Sequence, residues 1–175
     1  MKSLLLSTAL LLALPVSSSA QDKAQDHWVC QDVGHPSQEP LGDREGHAIE
    51  VAQYSCRVES GQWAGAVSNG TVIWEWDGPK ATMLSDSGVT RKPGGGTVVW
   101  KGDEGQIALT MTDGKVTGFT ASGQGKNVLV IGDWPAKKGG PIYHWTAKPD
   151  GPSGQFTIDS TNEDTASAAD SAPKQ

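Results

Sequence analysis

Sulfur and phenyl rings are scarce in this chain of 175 residues, which has two Cys, three Met, two Phe and two Tyr. Two thiols are too few for a structural zinc site, and His27, His35 and His47 show no tight ligand-pair spacing, so no metal is expected. Positive charge is short as well: 14 Lys and Arg stand against 20 Asp and Glu, a formal charge of −6. A nucleic-acid partner needs clustered cations to displace counterions, so that class is disfavoured and none is expected. Nothing after residue 20 approaches 18 consecutive apolar residues, which argues against a membrane span. The glycines sit at hairpin positions and not at a strand-to-helix junction, and Gly-x-Ser-x-Gly does not occur; neither a phosphate cradle nor a nucleophile elbow is written here. No cofactor is implied.

What the chain does have is tryptophan and glycine. There are seven Trp in a sequence that is only 36% apolar, and all 22 Gly lie beyond residue 20. The first twenty residues read as a secretory signal peptide. Lys2 gives a positive start, Leu4 to Leu14 an apolar core, and Ser18-Ser19-Ala20 a small-residue cleavage site. The expected destination is periplasmic or secreted, and an oxidising compartment makes Cys30 and Cys56, the only thiols, a disulfide by default.

Four regions are expected: the leader over 1–20, an irregular segment tied down by the disulfide over 21–47, a β domain over 48–159, and a disordered tail over 160–175. Pro36, Pro40, Gly34, Gly42 and Gly46 punctuate the second region. The tail is Ser, Thr, Ala, Asp and Glu with no aromatic residue, too polar to offset its ordering entropy. Between them, short alternating runs are separated by turn chemistry. Ala48 to Val58 is the first strand. In Thr71 to Trp76, Val72, Trp74 and Trp76 share one face. Lys80 to Leu84, Thr97 to Lys101 and Gln106 to Thr112 follow, with Gly102-Asp103-Glu104-Gly105 read as a turn. Asp113-Gly114 is a two-residue hairpin signal, because both positions of a type I′ turn need positive φ. Lys115 to Ala121 is the partner strand, and Asn127 to Ile131 is an apolar run fit for a strand buried on both faces or closing a sheet. Ile142 to Ala147 and Gln155 to Ile158 complete eight or nine strands with no helix. Closing such a sheet removes its exposed edges. The expectation is all-β, a small antiparallel β-barrel of about eight strands, with a two-sheet β-sandwich as the alternative.

The later strands carry a resemblance. Gly114-Lys115-Val116-Thr117-Gly118, then Gly123-Gln124-Gly125, Gly132 and Tyr143-His144-Trp145 resemble the corresponding part of allene oxide cyclase-like and dirigent-like barrels, over about the last third of the β domain. The resemblance implies an eight-stranded barrel with an apolar lumen, a fold used by cyclases and by stereochemical guides. No catalytic residue of that family maps onto a position here.

Candidate site residues come from the residues themselves. Trp74, Trp76, Trp134 and Trp145 could form a stacking surface for a flat apolar ligand or a glycan, or could simply fill a core short of Phe. Glu50 and Tyr54 share a face of the first strand; if that face is inward, Glu50 is a buried carboxylate with a raised pKa. The opposite register, with Ile49 and Val51 inward, fits equally well. His144 lies opposite Tyr143 and Trp145. Asp43-Arg44-Glu45-Gly46-His47 reads as a solvated turn, with a carboxylate–His47 acid–base pair as its functional alternative. The expected role is non-covalent binding of a small apolar or aromatic ligand. The alternatives are a cyclase- or isomerase-type enzyme, or a filled barrel that meets glycan or an envelope protein through its surface.

Overall fold

The computed structural model describes residues 25–133, 142–151 and 154–163. The expected leader, Trp134 and the tail beyond 163 lie outside the described residues. Among the described residues there are nine strands: β1 (Gln25–Asp32), β2 (Ser37–Pro40), β3 (His47–Ser60), β4 (Val67–Asp77), β5 (Lys80–Arg91), β6 (Thr97–Thr112), β7 (Lys115–Ile131), β8 (Ile142–Pro149) and β9 (Gln155–Asn162). The sheet runs β1-β9-β8-β7-β6-β5-β4-β3-β2, and β1 also pairs with β3. That last pairing closes an antiparallel eight-stranded barrel and leaves β2 as one extra strand outside it.

Alternation accounts for most of the wall. In β3, Ala48, Ala52, Cys56 and Val58 are buried, which puts Glu50 and Tyr54 on the inner face. Val72, Trp74 and Trp76 do the same in β4. Asp113 and Gly114 join β6 to β7 with φ of 51° and 73°, both positive as the two-residue turn requires. Cys30 and Cys56 are direct partners across the β1–β3 pairing and form a disulfide, so the bridge spans the seam where the barrel closes. A disulfide is consistent with an oxidising, exported environment.

Four expectations need correction. The segment 21–47 is not irregular throughout: Asp26, Trp28 and Cys30 alternate inward along β1, and β2 follows on the same edge of β3. Its partners β3 and β9 are remote in sequence, so local pattern alone conceals it. The tail does not begin at 160, because β9 continues to Asn162 and Ser160 is buried. Gly102 to Gly105 is no turn but an irregularity inside β6, where the register to β7 shifts between Gly102 and Glu104. Finally, the run Asn127 to Ile131 is not buried on both faces: Val128, Leu129 and Ile131 are all exposed by more than half.

Two apolar clusters occupy the interior. Trp28, Cys30, Cys56, Val58, Trp63, Ala66, Val98 and Trp100 form one. Within it the Trp28 and Trp63 rings meet edge to face, with centroids 5.7 Å apart. Asp26 braces the turn that carries Trp63 by accepting its backbone N–H at 2.9 Å. The second cluster comprises Ala48, Ala52, Val72, Trp74, Trp76, Ala81 and Met83.

Candidate functional site

A cavity of about 260 Å³ remains in the barrel, lined by residues of both clusters. It exists because small side chains occupy inner positions: Ala52, Ala121 and Ala147 line it, and glycines stand at several others. Eight-stranded barrels fill their interiors only when those positions carry bulk. Exposed Pro36 and Gln155 also line the cavity, which places its mouth beside the β1–β2 junction and the start of β9.

The walls are aromatic. Trp28, Trp63, Trp74, Trp100 and Trp145 line the space together with Tyr54, Tyr143 and both phenylalanines. Two of the indoles are pinned by hydrogen bonds. Trp28 Nε1–H donates to Ser160 Oγ at 2.9 Å. Trp100 Nε1–H donates to Thr90 Oγ1 at 3.1 Å and to Ser68 Oγ at 3.3 Å, and the Thr90 hydroxyl donates to Ser68 Oγ at 2.8 Å. Buried indoles normally find such partners, and here the bonds fix the ring planes.

Among the described residues three carboxylates face this apolar space: Asp32, Glu50 and Asp86. Asp86 is 8% exposed and accepts the Tyr54 phenolic hydrogen bond at 2.9 Å. Burial lifts its carboxyl to about 7, against the opposing pull of the Tyr54 O–H and the Ser87 N–H. Burial, together with the Asp86 charge, pushes the Tyr54 hydroxyl well above its ordinary value, and Tyr143 moves the same way for the same two reasons. Glu50 accepts Trp76 Nε1–H at 3.2 Å, and burial raises its carboxyl all the same. Asp32 is raised by burial alone. Asn127 completes the polar set: its amide nitrogen and oxygen are both buried, with no hydrogen-bond partner among the described residues.

Of the residues expected at the site, Trp74, Trp145, Tyr54 and Glu50 line the cavity. Trp76 does not; it packs in the neighbouring cluster and reaches the site only through its bond to Glu50. Trp134 lies outside the described residues. His144 is turned to the outer surface, where Nε2 meets Glu163 Oε1 at 2.7 Å. His47 meets Asp43 through Nδ1 and Glu75 through Nε2, and it is absent from the cavity wall among the described residues. Both ring nitrogens are engaged by carboxylates, which clip the loop before β3 onto β4. Glu45 takes no part in these bonds.

Asp86 was missed because strict alternation from Ala81 and Met83 would turn it outward. The register of β5 against β4 shifts between Ile73 and Trp74, so that Ser85 faces Ile73 while Met83 faces Trp74. Leu84 is the extra residue, it is exposed, and Asp86 is rotated to the inside. Asn127 is in phase with Ala121 and Gly125 along β7, and was hidden because Gly123-Gln124-Gly125 read as a break between two strands.

No protein-family model matches the chain, and neither a curated protein nor a solved structure matches it.

Proposed function

We propose that this is an exported barrel that binds one small apolar or aromatic ligand in its lumen. The observation that carries the reading is the unfilled, aromatic-walled cavity between the two packed clusters. Its volume of about 260 Å³ exceeds the ~150 Å³ apolar cavity that takes up benzene and approaches the lower end of ordinary ligand pockets. A ligand of one or two rings fits that space. The likeness of the later strands to allene oxide cyclase-like and dirigent-like barrels points the same way.

The test is a calorimetric titration with 1-naphthylmethanol, backed by tryptophan fluorescence. Saturation at one per chain is expected, and Trp74→Ala should weaken it by about 1–2 kcal/mol through lost area and ring contact. If no apolar probe saturates and Trp74→Ala costs only folding stability, about 3–5 kcal/mol, the barrel works through its surface instead.

A second reading, a cyclase- or isomerase-type enzyme, is favoured by Asp86. A carboxyl held near 7 beside a phenol inside an apolar pocket suits general acid–base catalysis. That reading requires that ligand recovered from the protein differ chemically from ligand supplied, and that Asp86→Asn abolish the difference.

A further inference from the structure

The binding reading leaves the polarity of the ligand open, and the cavity narrows it; the inference below rests on that reading. We propose that the ligand is a cation, specifically an aromatic or apolar amine that enters as its ammonium. Among the described lining residues the charge is of one sign. Asp32, Glu50 and Asp86 line the cavity, and no Lys, Arg or His stands beside them among the described lining residues. Among the described lining residues an anionic ligand would meet three carboxylates and no counter-charge. A wholly apolar ligand would cover Asp86 and Asn127 and leave them worse solvated than before, since buried polar groups are costly when unpaired.

An ammonium meets both requirements. It brings three N–H donors and no acceptor. Asp86 has a carboxylate whose neighbours are only the Tyr54 hydroxyl and the Ser87 amide, with no cation in hydrogen-bond contact among the described residues. Asn127 offers a carbonyl oxygen that is buried and has no partner among the described residues. The rest of the wall suits the same ligand, because the faces of Trp and Tyr rings attract a desolvated cation. Trp74, Trp100, Trp145, Tyr54 and Tyr143 are among the rings that line the cavity. Burial raises the carboxyls of Asp32, Glu50 and Asp86 together, as expected of a site whose negative charge lacks an internal partner.

The experiment compares three compounds of one shape on the whole mature protein at pH 8. These are 1-naphthylmethylammonium, 1-naphthylmethanol and 1-naphthoate, each titrated by calorimetry. The ammonium should bind at least tenfold more tightly than the alcohol, and the carboxylate should not bind measurably. Asp86→Asn should cut the preference of ammonium over alcohol several-fold. Should that variant fail to fold, Glu50→Gln and the three-way comparison on the unaltered protein carry the decision. Alcohol binding as tightly as ammonium, or naphthoate binding best, would overturn the cationic assignment and leave the lumen as a binding site. Saturation by none of the three would overturn the binding reading itself.

Discussion

Tyr54 and Trp100 stack inside the barrel although two strands lie between them. Their ring centroids are 6.4 Å apart and their planes 29° from parallel. The inner row runs Tyr54, Gly70, Gly88, Trp100 across β3 to β6, each residue the direct partner of the next. The two rings lean over the glycines from either side. A Cβ at Gly88 would stand 2.3 Å from Trp100 Cζ2, and one at Gly70 would stand 2.6 Å from Tyr54 Cζ. The absence of side chains at 70 and 88 is therefore what lets the wall of the cavity be aromatic.

Gly88→Ala is expected to force the stack apart. The new methyl would also meet the Asn69 carbonyl oxygen at 2.2 Å, a backbone atom that cannot swing aside. A loss of at least about 1–3 kcal/mol, the usual cost of overpacking, should appear in urea unfolding, together with a changed near-UV circular dichroism from Trp100. Unaltered stability and spectrum would mean that the row is not packed this way.

The pH dependence of stability follows from Asp86. Its carboxyl has an ordinary value of 3.8 in the unfolded chain and about 7 when folded. Between those values the folded state keeps a proton that the unfolded state has released, so stability falls as pH rises from about 4 to 7 and then levels. Asp26, Asp32 and Glu50 are raised by burial and act in the same direction. His47 acts in the same direction. The carboxylates of Glu75 and Asp43 raise its imidazole, so its contribution is complete below the ordinary histidine value and is lost as pH passes the raised one. Melting from pH 4 to 9 should show this decline, and Asp86→Asn should flatten its part between 4 and 7. A melting temperature that rises across that window would contradict the burial of Asp86.

Truncation tests the corrected end of the domain. Removing 160–175 takes away the partners of Gln25 and Asp26 in β1 and the hydroxyl that accepts Trp28 Nε1–H. The unfolding midpoint should drop by several degrees. Ser160→Ala alone should cost about 1–3 kcal/mol, because it strands a buried indole N–H. A truncated protein as stable as the full chain would restore the expectation of a dispensable tail at 160.

Thiol titration of the denatured, unreduced protein should find no free sulfhydryl. Cys30 and Cys56 are both buried, so the bridge should resist mild reductant until the barrel opens. Cys30→Ala with Cys56→Ala should lower stability by about 2–4 kcal/mol, the common range for such a link. Two reactive thiols per chain would rule the bridge out.

Where regular alternation holds, the architecture was legible. The β4 face of Val72, Trp74 and Trp76, the Asp113-Gly114 hairpin and the shared face of Tyr143 and Trp145 follow from period-two pattern and turn chemistry alone, whereas which of those faces points inward does not. What stayed hidden depends on irregularity or on distance. One extra residue at Leu84 decides that Asp86 faces the cavity, and no local signal in Leu84-Ser85-Asp86 announces it. β1 carries a broken hydrophobic pattern, with Asp26 and His27 beside Trp28, and becomes a strand through partners remote in sequence. Gly102, Gly105, Gly123 and Gly125 read as loop residues for a good local reason. Their true role is to leave room for Tyr143, Trp145 and Met83 lying flat on the wall.

The pairing of β1 with β9 sets the order in which this protein can mature. Every other strand pairing in the barrel joins β1 to β3 or a strand to its immediate successor, so those contacts can form as the chain emerges. Only Gln25–Gln31 against Gln155–Thr161 joins the two extremes. Until β9 arrives, Phe156, Ile158 and Ser160 are missing from the lining, and the chamber is a trough open along one side. Cys30 and Cys56 can already be linked at that stage, holding β1 on β3 as a prepared edge for the last strand. The closed chamber therefore exists only in a chain delivered to its final strand, and nascent or prematurely ended copies lack it.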